Sequence, residues 1–175
     1  QGEIHKGTDR VRIQVSRGPL IIRHPGRTYT GKVAEGFIQH QDLMPTLLHL
    51  LAEPVPEQCD GGDFWPMVTG ERSGGLHEVV ISAFGYYASV RTKEWNYHTA
   101  WQKLQRGRVR APELYDRQSD PGELVNVIEQ HPEVACELQA HLDELLSKSK
   151  VPMGTLPRGN TPAAVPGVNW EVGKR

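Results

Sequence analysis

Hydrophobic positions along this chain fall into short blocks whose period changes from block to block. Val11, Ile13 and Val15 alternate with Arg12, Gln14 and Ser16, a period of two that suits a half-buried strand, with a short helix as the other option. Leu20-Ile21-Ile22 is continuous and lies between Pro19 and Pro25-Gly26, which predicts a buried strand, parallel and covered on both faces, ended by a turn. Val33 to Ile38 predicts a second short strand, with Gly31 and Gly36 as breakers. From Asp42 the spacing lengthens. Leu43, Leu47, Leu48, Leu50 and Leu51 make the stripe of a helix of about three turns. Asp42 takes its N-cap, accepting from first-turn amides and opposing the dipole. Pro45 is tolerated in the first turn, where amides lack intrahelical partners, and Pro54 and Pro56 stop the helix.

Past that helix, Gln58 to Gly75 is loop-rich, and the pair Phe64-Trp65 is expected to pin the loop onto the core. Strand character returns over Val79-Val80-Ile81 and then over Tyr87 to Arg91, the latter continuing through Trp95, Tyr97 and Trp101, and these two strands predict an antiparallel meander. Glu113 to Asp116 predicts another strand, and Asp120-Pro121-Gly122-Glu123 a turn. Pro132 opens the last helix, with Ala135, Leu138, Leu142 and Leu145 on one face. From Val151 the chain is rich in Pro and Gly and predicts an extended tail. The fold class is α/β, in three parts: strands and helix of an α/β layer over 1–56, an antiparallel strand subdomain with a packed terminal helix over 57–150, and the tail over 151–175.

Composition narrows the function classes. At 175 residues with 37% hydrophobic content the chain is lean in core formers, and its mean hydropathy is -0.52, which suits a piece that packs on a partner surface. A formal net charge of -1 does not favour nucleic acid or an anionic membrane, and Arg10, Arg12, Arg17, Arg23 and Arg27 have no aromatic residues interleaved for base stacking. Two scattered cysteines, Cys59 and Cys136, form neither a disulfide framework nor a zinc pattern. Glu113, Asp116, Asp120 and Glu123 lack the glycine-pivoted alternation of a calcium loop and read as turn caps. His40 and His49 are nine residues apart and read as structural, so no metal site is expected within the chain.

Several blocks, in order, resemble a known family. They are His5-Lys6-Gly7-Thr8, the strand Arg17-Gly18-Pro19-Leu20-Ile21-Ile22 with Pro25-Gly26, and the helix start Asp42-Leu43-Met44-Pro45-Thr46-Leu47-Leu48. Asp60-Gly61 through Trp65-Pro66 and Thr69-Gly70 follow, then Ser89-Val90-Arg91-Thr92, then Glu113-Leu114-Tyr115-Asp116 with Asp120-Pro121-Gly122-Glu123. Together they resemble the C-terminal part of a sulfatase of the alkaline phosphatase-like superfamily. The resemblance implies a parent enzyme that hydrolyses sulfate esters with a formylglycine nucleophile and a divalent cation, calcium. Formylglycine is made in a Cys-x-Pro-x-Arg segment. Neither Cys59, followed by Asp-Gly-Gly-Asp, nor Cys136, followed by Glu-Leu-Gln-Ala, qualifies. The chain is therefore expected to be a piece whose nucleophile and metal ligands lie elsewhere, and to be inactive alone.

Within the resemblance, Lys6 is the candidate that contacts sulfate. An ammonium offers a compact charge and three donors to the ester oxygens and the departing alkoxide. His5 beside it has the near-neutral titration suited to protonating that alkoxide. The plain alternative for both is a solvated loop. Arg91 and Tyr87, with Tyr86 and Trp95, lie in the layer that the resemblance places near the mouth of the cleft, where an Arg and an aromatic ring suit an anionic sugar. Strand packing is the plain alternative there. Expected partners are a sulfated small molecule or sugar and the N-terminal part of the same enzyme, with no nucleic acid and no membrane. Two other functions fit the same residues: a phosphonate monoester or phosphodiester hydrolase of the superfamily, and a non-catalytic binding or packing module.

Overall fold

The structure is a computed structural model and describes residues 11, 16–26, 28–101 and 110–148. It divides into two compact units, one over Pro19–Val80 and the other joining the residues up to Gly18 to those from Ile81 onward. In chain order, a 3-10 turn at His40–Asp42 runs into α1 (Leu43–Leu50), followed by α2 (Trp65–Thr69). Strands β1 (Val80–Phe84), β2 (Tyr87–Arg91), β3 (Trp95–Ala100) and β4 (Glu113–Asp116) precede α3 (Pro132–Lys148). No helix among the described residues is long and apolar enough to cross a membrane. The strand expected over Val11–Val15 lies outside the described residues except for Val11, which is buried, and so does the expected tail.

The unit over residues 19–80 corrects the sequence reading in three places. Leu20-Ile21-Ile22 forms no strand and is not buried; Ile21 is 90% exposed. A strand is held by ladders on its flanks, and no described segment pairs with this one. The second expected strand reduces to one antiparallel bridge, Phe37 to His77, with the Leu76 amide donating to the Phe37 carbonyl at 2.9 Å. Helix α1 is shorter than expected, because its entry is a tight 3-10 turn and its exit comes early. Ala52 takes a left-handed φ of 56°, and the amides of Ala52 and Glu53 close onto the carbonyls of His49 and Leu48, a Schellman stop that usually falls to glycine. The leucine stripe of α1 is uncovered: Leu47, Leu50 and Leu51 are exposed, while Pro45 and Thr46 face inward. Phe64 and Trp65 are buried, as expected of a pinned loop, and Trp65 opens α2, an element the sequence reading did not foresee.

In the other unit the four strands lie in sequence order, β1-β2-β3-β4. The expected second strand is two, because the chain turns between Arg91 and Trp95, where the Thr92 amide donates to the Trp95 carbonyl, and β2, β3 and β4 pair antiparallel. Register places Val90 opposite Tyr97 and Tyr97 opposite Leu114 on one face. That face packs on α3 through buried Ala135, Leu138 and Leu142, while Leu145, the fourth residue of the expected stripe, is exposed. Covering one leucine completely stabilises by about 1.5–3 kcal/mol, so Leu138 and Leu142 hold the helix in place. The outer flank of β4 is closed by the Val127 amide, which donates to the Leu114 carbonyl, and by Asn126 Oδ1, which accepts from the Leu114 amide.

Candidate functional site

Two buried polar centres organise the described residues, one in each unit. In the unit over residues 19–80 the centre is Asp42, which is completely buried. It does not cap the first turn of α1 as expected. The 3-10 turn has already brought it to helical angles, φ -77° and ψ -14°, so its carboxylate points back instead of forward. Oδ2 accepts from the Gln39 amide at 2.6 Å and from His77 Nε2 at 2.8 Å, and Oδ1 accepts from the Gly62 amide at 2.9 Å. Thr46 donates to the Asp42 carbonyl and accepts from the Phe64 amide. His49 pairs with Asp63, whose other oxygen accepts from the Trp65 amide. A Cβ on Gly61 would fall on the Gln41 carbonyl. The resembled blocks Asp42 to Thr46 and Asp60-Gly61 to Trp65 are thus two halves of one joint between helix and loop.

The second centre is the face of the sheet turned away from α3. Register puts Ser89 opposite His98, and Arg91 opposite Asn96, which faces Tyr115 on its other side. Each of these residues is buried. Ser89 donates to Asn96 Oδ1 at 2.6 Å, and Asn96 Nδ2 donates to Glu123 Oε1 and to His98 Nε2. Glu123 is 1% exposed and held at φ 55°. Its Oε1 lies 3.9 Å from Arg91 Nη2, and Nη2 donates to Ser16 Oγ at 2.8 Å. Burial lowers the pKa of Arg91 from its ordinary value; Glu123 opposes this, while Arg117 and Arg17 add to it. A buried guanidinium beside a buried carboxylate is held by hydrogen-bonded neighbours, and removing one partner strands the other.

Of the residues singled out from sequence, His5 and Lys6 lie outside the described residues. Arg91 sits in the interior, its side chain 8% exposed. Tyr87 is buried too, its hydroxyl accepting from the Arg110 amide at 3.2 Å. Trp95 packs its ring on His131. Two of the four acidic residues cap turns as expected: Asp116 accepts from the Gln118 amide and the Ser119 hydroxyl, and Asp120 from the amides of Leu124 and Val125; Glu113 instead accepts from the Tyr115 hydroxyl, and Glu123 belongs to the buried network. Sequence reasoning missed Asn96, His98 and Ser89. Their alternation with Tyr97, Val90 and Ala88 was the available signal, but a polar alternate face ordinarily means solvent. Among the described residues no three His, Cys, Asp or Glu side chains come together to hold a metal ion. The calcium implied by the resemblance does not fit the described part of the chain, and no chemistry is routed through it.

A protein family described as "N-sulphoglucosamine sulphohydrolase, C-terminal" matches residues 10–151. An N-acetylgalactosamine-6-O-sulfatase of Bacteroides thetaiotaomicron is 29% identical over 143 residues, covering 76% of this chain and 28% of the relative. Arylsulfatase K of Homo sapiens is 28% identical over 146 residues, covering 76% and 26%. The solved structure of a 2-O GAG sulfatase aligns with a TM-score of 0.51 and 29% identity over 63% of this chain and 25% of that one. The chain thus spans about a quarter of the length of the curated relatives it matches. With most of its residues matched by that family, the chain belongs to the sulfatases and corresponds to their C-terminal region.

Proposed function

We propose that this chain is the C-terminal part of an enzyme that hydrolyses sulfate esters of sugars, with the formylglycine nucleophile and the calcium ligands supplied by the rest of the polypeptide. The observation that carries the reading is the family match over residues 10–151. Sulfated sugars are favoured because relatives named for N-acetylgalactosamine-6-O-sulfate and for 2-O GAG sulfate stand among the matches. Lys6 holds the sulfate oxygens and His5 protonates the departing sugar oxygen, on the chemistry that a sulfate ester requires. Arg91 and Tyr87 are assigned to substrate binding on their chemistry, a guanidinium and an aromatic ring suited to an anionic sugar. The uncovered leucines of α1 and the run Leu20 to Ile22 pack on the N-terminal part of the same enzyme.

The test is to express the whole reading frame and measure sulfate released from sulfated glycosaminoglycan saccharides by ion chromatography. The full-length protein is expected to release sulfate, and Lys6→Ala to lower kcat/KM by about 10²-fold. Turnover of phosphonate monoesters or phosphodiesters with no sulfate release would overturn the sulfatase reading in favour of a sister hydrolase. No turnover of either kind would leave a packing module.

A further inference from the structure

We infer that the run Leu20-Ile21-Ile22-Arg23 is an interaction surface that becomes a β-strand on assembly, inserted between strands of a sheet supplied by the part of the enzyme that precedes this chain; this rests on the sulfatase reading above. Three observations converge on it. The first is apolarity set against exposure: Leu20, Ile21 and Ile22 are 45%, 90% and 46% exposed. Side chains alternate sides along a strand, so three consecutive apolar residues offer an apolar surface on both faces. A strand with one face in water needs only every second residue apolar, whereas this pattern suits a strand layered on both sides. The second is the backbone. Leu20 to Arg23 make no main-chain hydrogen bond among the described residues, so donors and acceptors stand ready along both edges. Proline falls only at the entry, Pro19, where a strand tolerates it, and a turn at Pro25-Gly26 follows. The third is a fixed base. The ring of His24, next in the chain, lies 5.4 Å from that of Trp65 and 5.8 Å from that of Tyr29, and Trp65 is buried. The run thus ends on a packed anchor of its own unit.

Length and layering argue for the occupant. The family match is to a C-terminal region, and this chain covers only 28% and 26% of two relatives, so the bulk of such an enzyme lies on the N-terminal side of the match. Joined covalently, that part presents its strands at a high effective concentration. Helix α1, in the same unit as the run, leaves Met44, Leu47 and Leu50 exposed. A helix with an uncovered apolar stripe and a strand apolar on both faces are the two components of a layered α/β sheet, in which helices cover the faces. A second copy of this chain is the poorer occupant, because short strands paired only with each other are marginal in water and leave their outer edges open. A saccharide is poorer still, since its hydroxyls would meet leucine and isoleucine where they need polar partners.

Amide hydrogen exchange on the full-length protein, without substrate, tests this. The amides of Ile21, Ile22 and Arg23 should exchange at least about 10³-fold more slowly than in an unstructured chain, at a rate independent of protein concentration. Ile21→Val keeps a β-branched side chain and should retain that protection, with a Tm within about 2 °C of the parent. Ile21→Pro removes one ladder donor and should abolish the protection, and either lower the Tm by about 5 °C or more or prevent folding. Fast exchange in the unmodified full-length protein would overturn the inference and leave the run facing solvent. Protection that grows with protein concentration would assign the run to a second copy, and protection that appears only with a sulfated saccharide would assign it to substrate; either overturns the inference. Slow exchange together with an Ile21→Pro variant as stable as the parent would mean cover without a ladder, and overturns the strand. Sulfate release is read separately. A full-length protein that hydrolyses no sulfate ester fails the sulfatase reading, and exchange still decides the strand.

Discussion

Tyr97 sits on the apolar face of the sheet with only its hydroxyl in polar company, donating to Gln139 Oε1 at 3.0 Å. Burial pushes its phenol above the ordinary value of 10.0, partly offset by a hydrogen bond with Thr99, with Cys136 and Asp143 adding to the rise. The unfolded chain therefore gives up this proton at lower pH than the folded chain does. Stability from the protonated phenol is complete below pH 10 and is lost as pH rises through the folded value. Tyr97→Phe should cost about 1 kcal/mol near neutrality, the usual worth of a hydrogen bond. That difference from the parent chain should narrow above about pH 10. Urea midpoints measured from pH 7 to 11 give the answer, and a gap that stays constant throughout would show that the folded phenol titrates as the unfolded one does. The same scale shows what one sequence can and cannot announce. Tyr97 was legible as an inward strand residue from its spacing. Arg91, Asn96 and His98 occupy the alternate positions, where polarity ordinarily means water, but Glu123, from the turn after β4, reaches in to accept from Asn96 and to face Arg91. Asp42 was legible as important to its helix but not in its direction, because cap geometry depends on whether the preceding turn is extended or tight.

At the scale of elements, local pattern succeeded where an element's partners lie close in sequence. Strands β2, β3 and β4 and helix α3 are a meander and a helix folded back on it, and their alternation and 3.6-residue spacing match what they pack against. Between residues 19 and 57 the pattern predicts two strands and a longer helix, and neither of those two strands forms, because a strand is defined by a neighbour that a local window does not contain. What does form there is a crossing of two loops. Gly36 has a φ of 131°, and a Cβ on it would fall on the backbone of Gly75, just beside the bridge from Phe37 to His77. A neighbouring main chain cannot move aside as a side chain can. Gly36→Ala should therefore destabilise by more than about 2 kcal/mol, combining unfavourable backbone angles with the clash. Gly18→Ala, where a Cβ meets nothing within 4 Å, should stay within about 0.5 kcal/mol of the parent chain. Chemical denaturation of the two variants side by side tests the assignment, and equal midpoints would mean that the loops do not cross so tightly.

At the scale of the whole molecule, the leanness of the sequence and the uncovered leucines describe one property. Ile21 and Val33 are the most exposed large hydrophobic residues among those described, and Met44, Leu47 and Leu51 add to them from α1 and its end. Scattered single exposures are ordinary, but here several fall along one stretch of about thirty residues, the stretch proposed to pack on the rest of the enzyme. The relatives are about three times as long as this chain, and the proposal that the rest of the enzyme supplies the cover makes two opposite predictions for one substitution. In the 175-residue chain by itself, Leu47→Lys or Ile21→Lys should reduce self-association, because a charge replaces an apolar side chain that water already touches. Light scattering across a concentration series measures that. In the full-length enzyme the same change should destabilise by about 1–3 kcal/mol, because the side chain would be buried and the lysine stranded without a partner. If the substitutions are silent in both settings, the stretch faces solvent in the working protein, and the α/β layer assigned to it is not assembled around these residues. If they solubilise the short chain and weaken the long one, the leucines that look misplaced here are the seam along which the sulfatase closes.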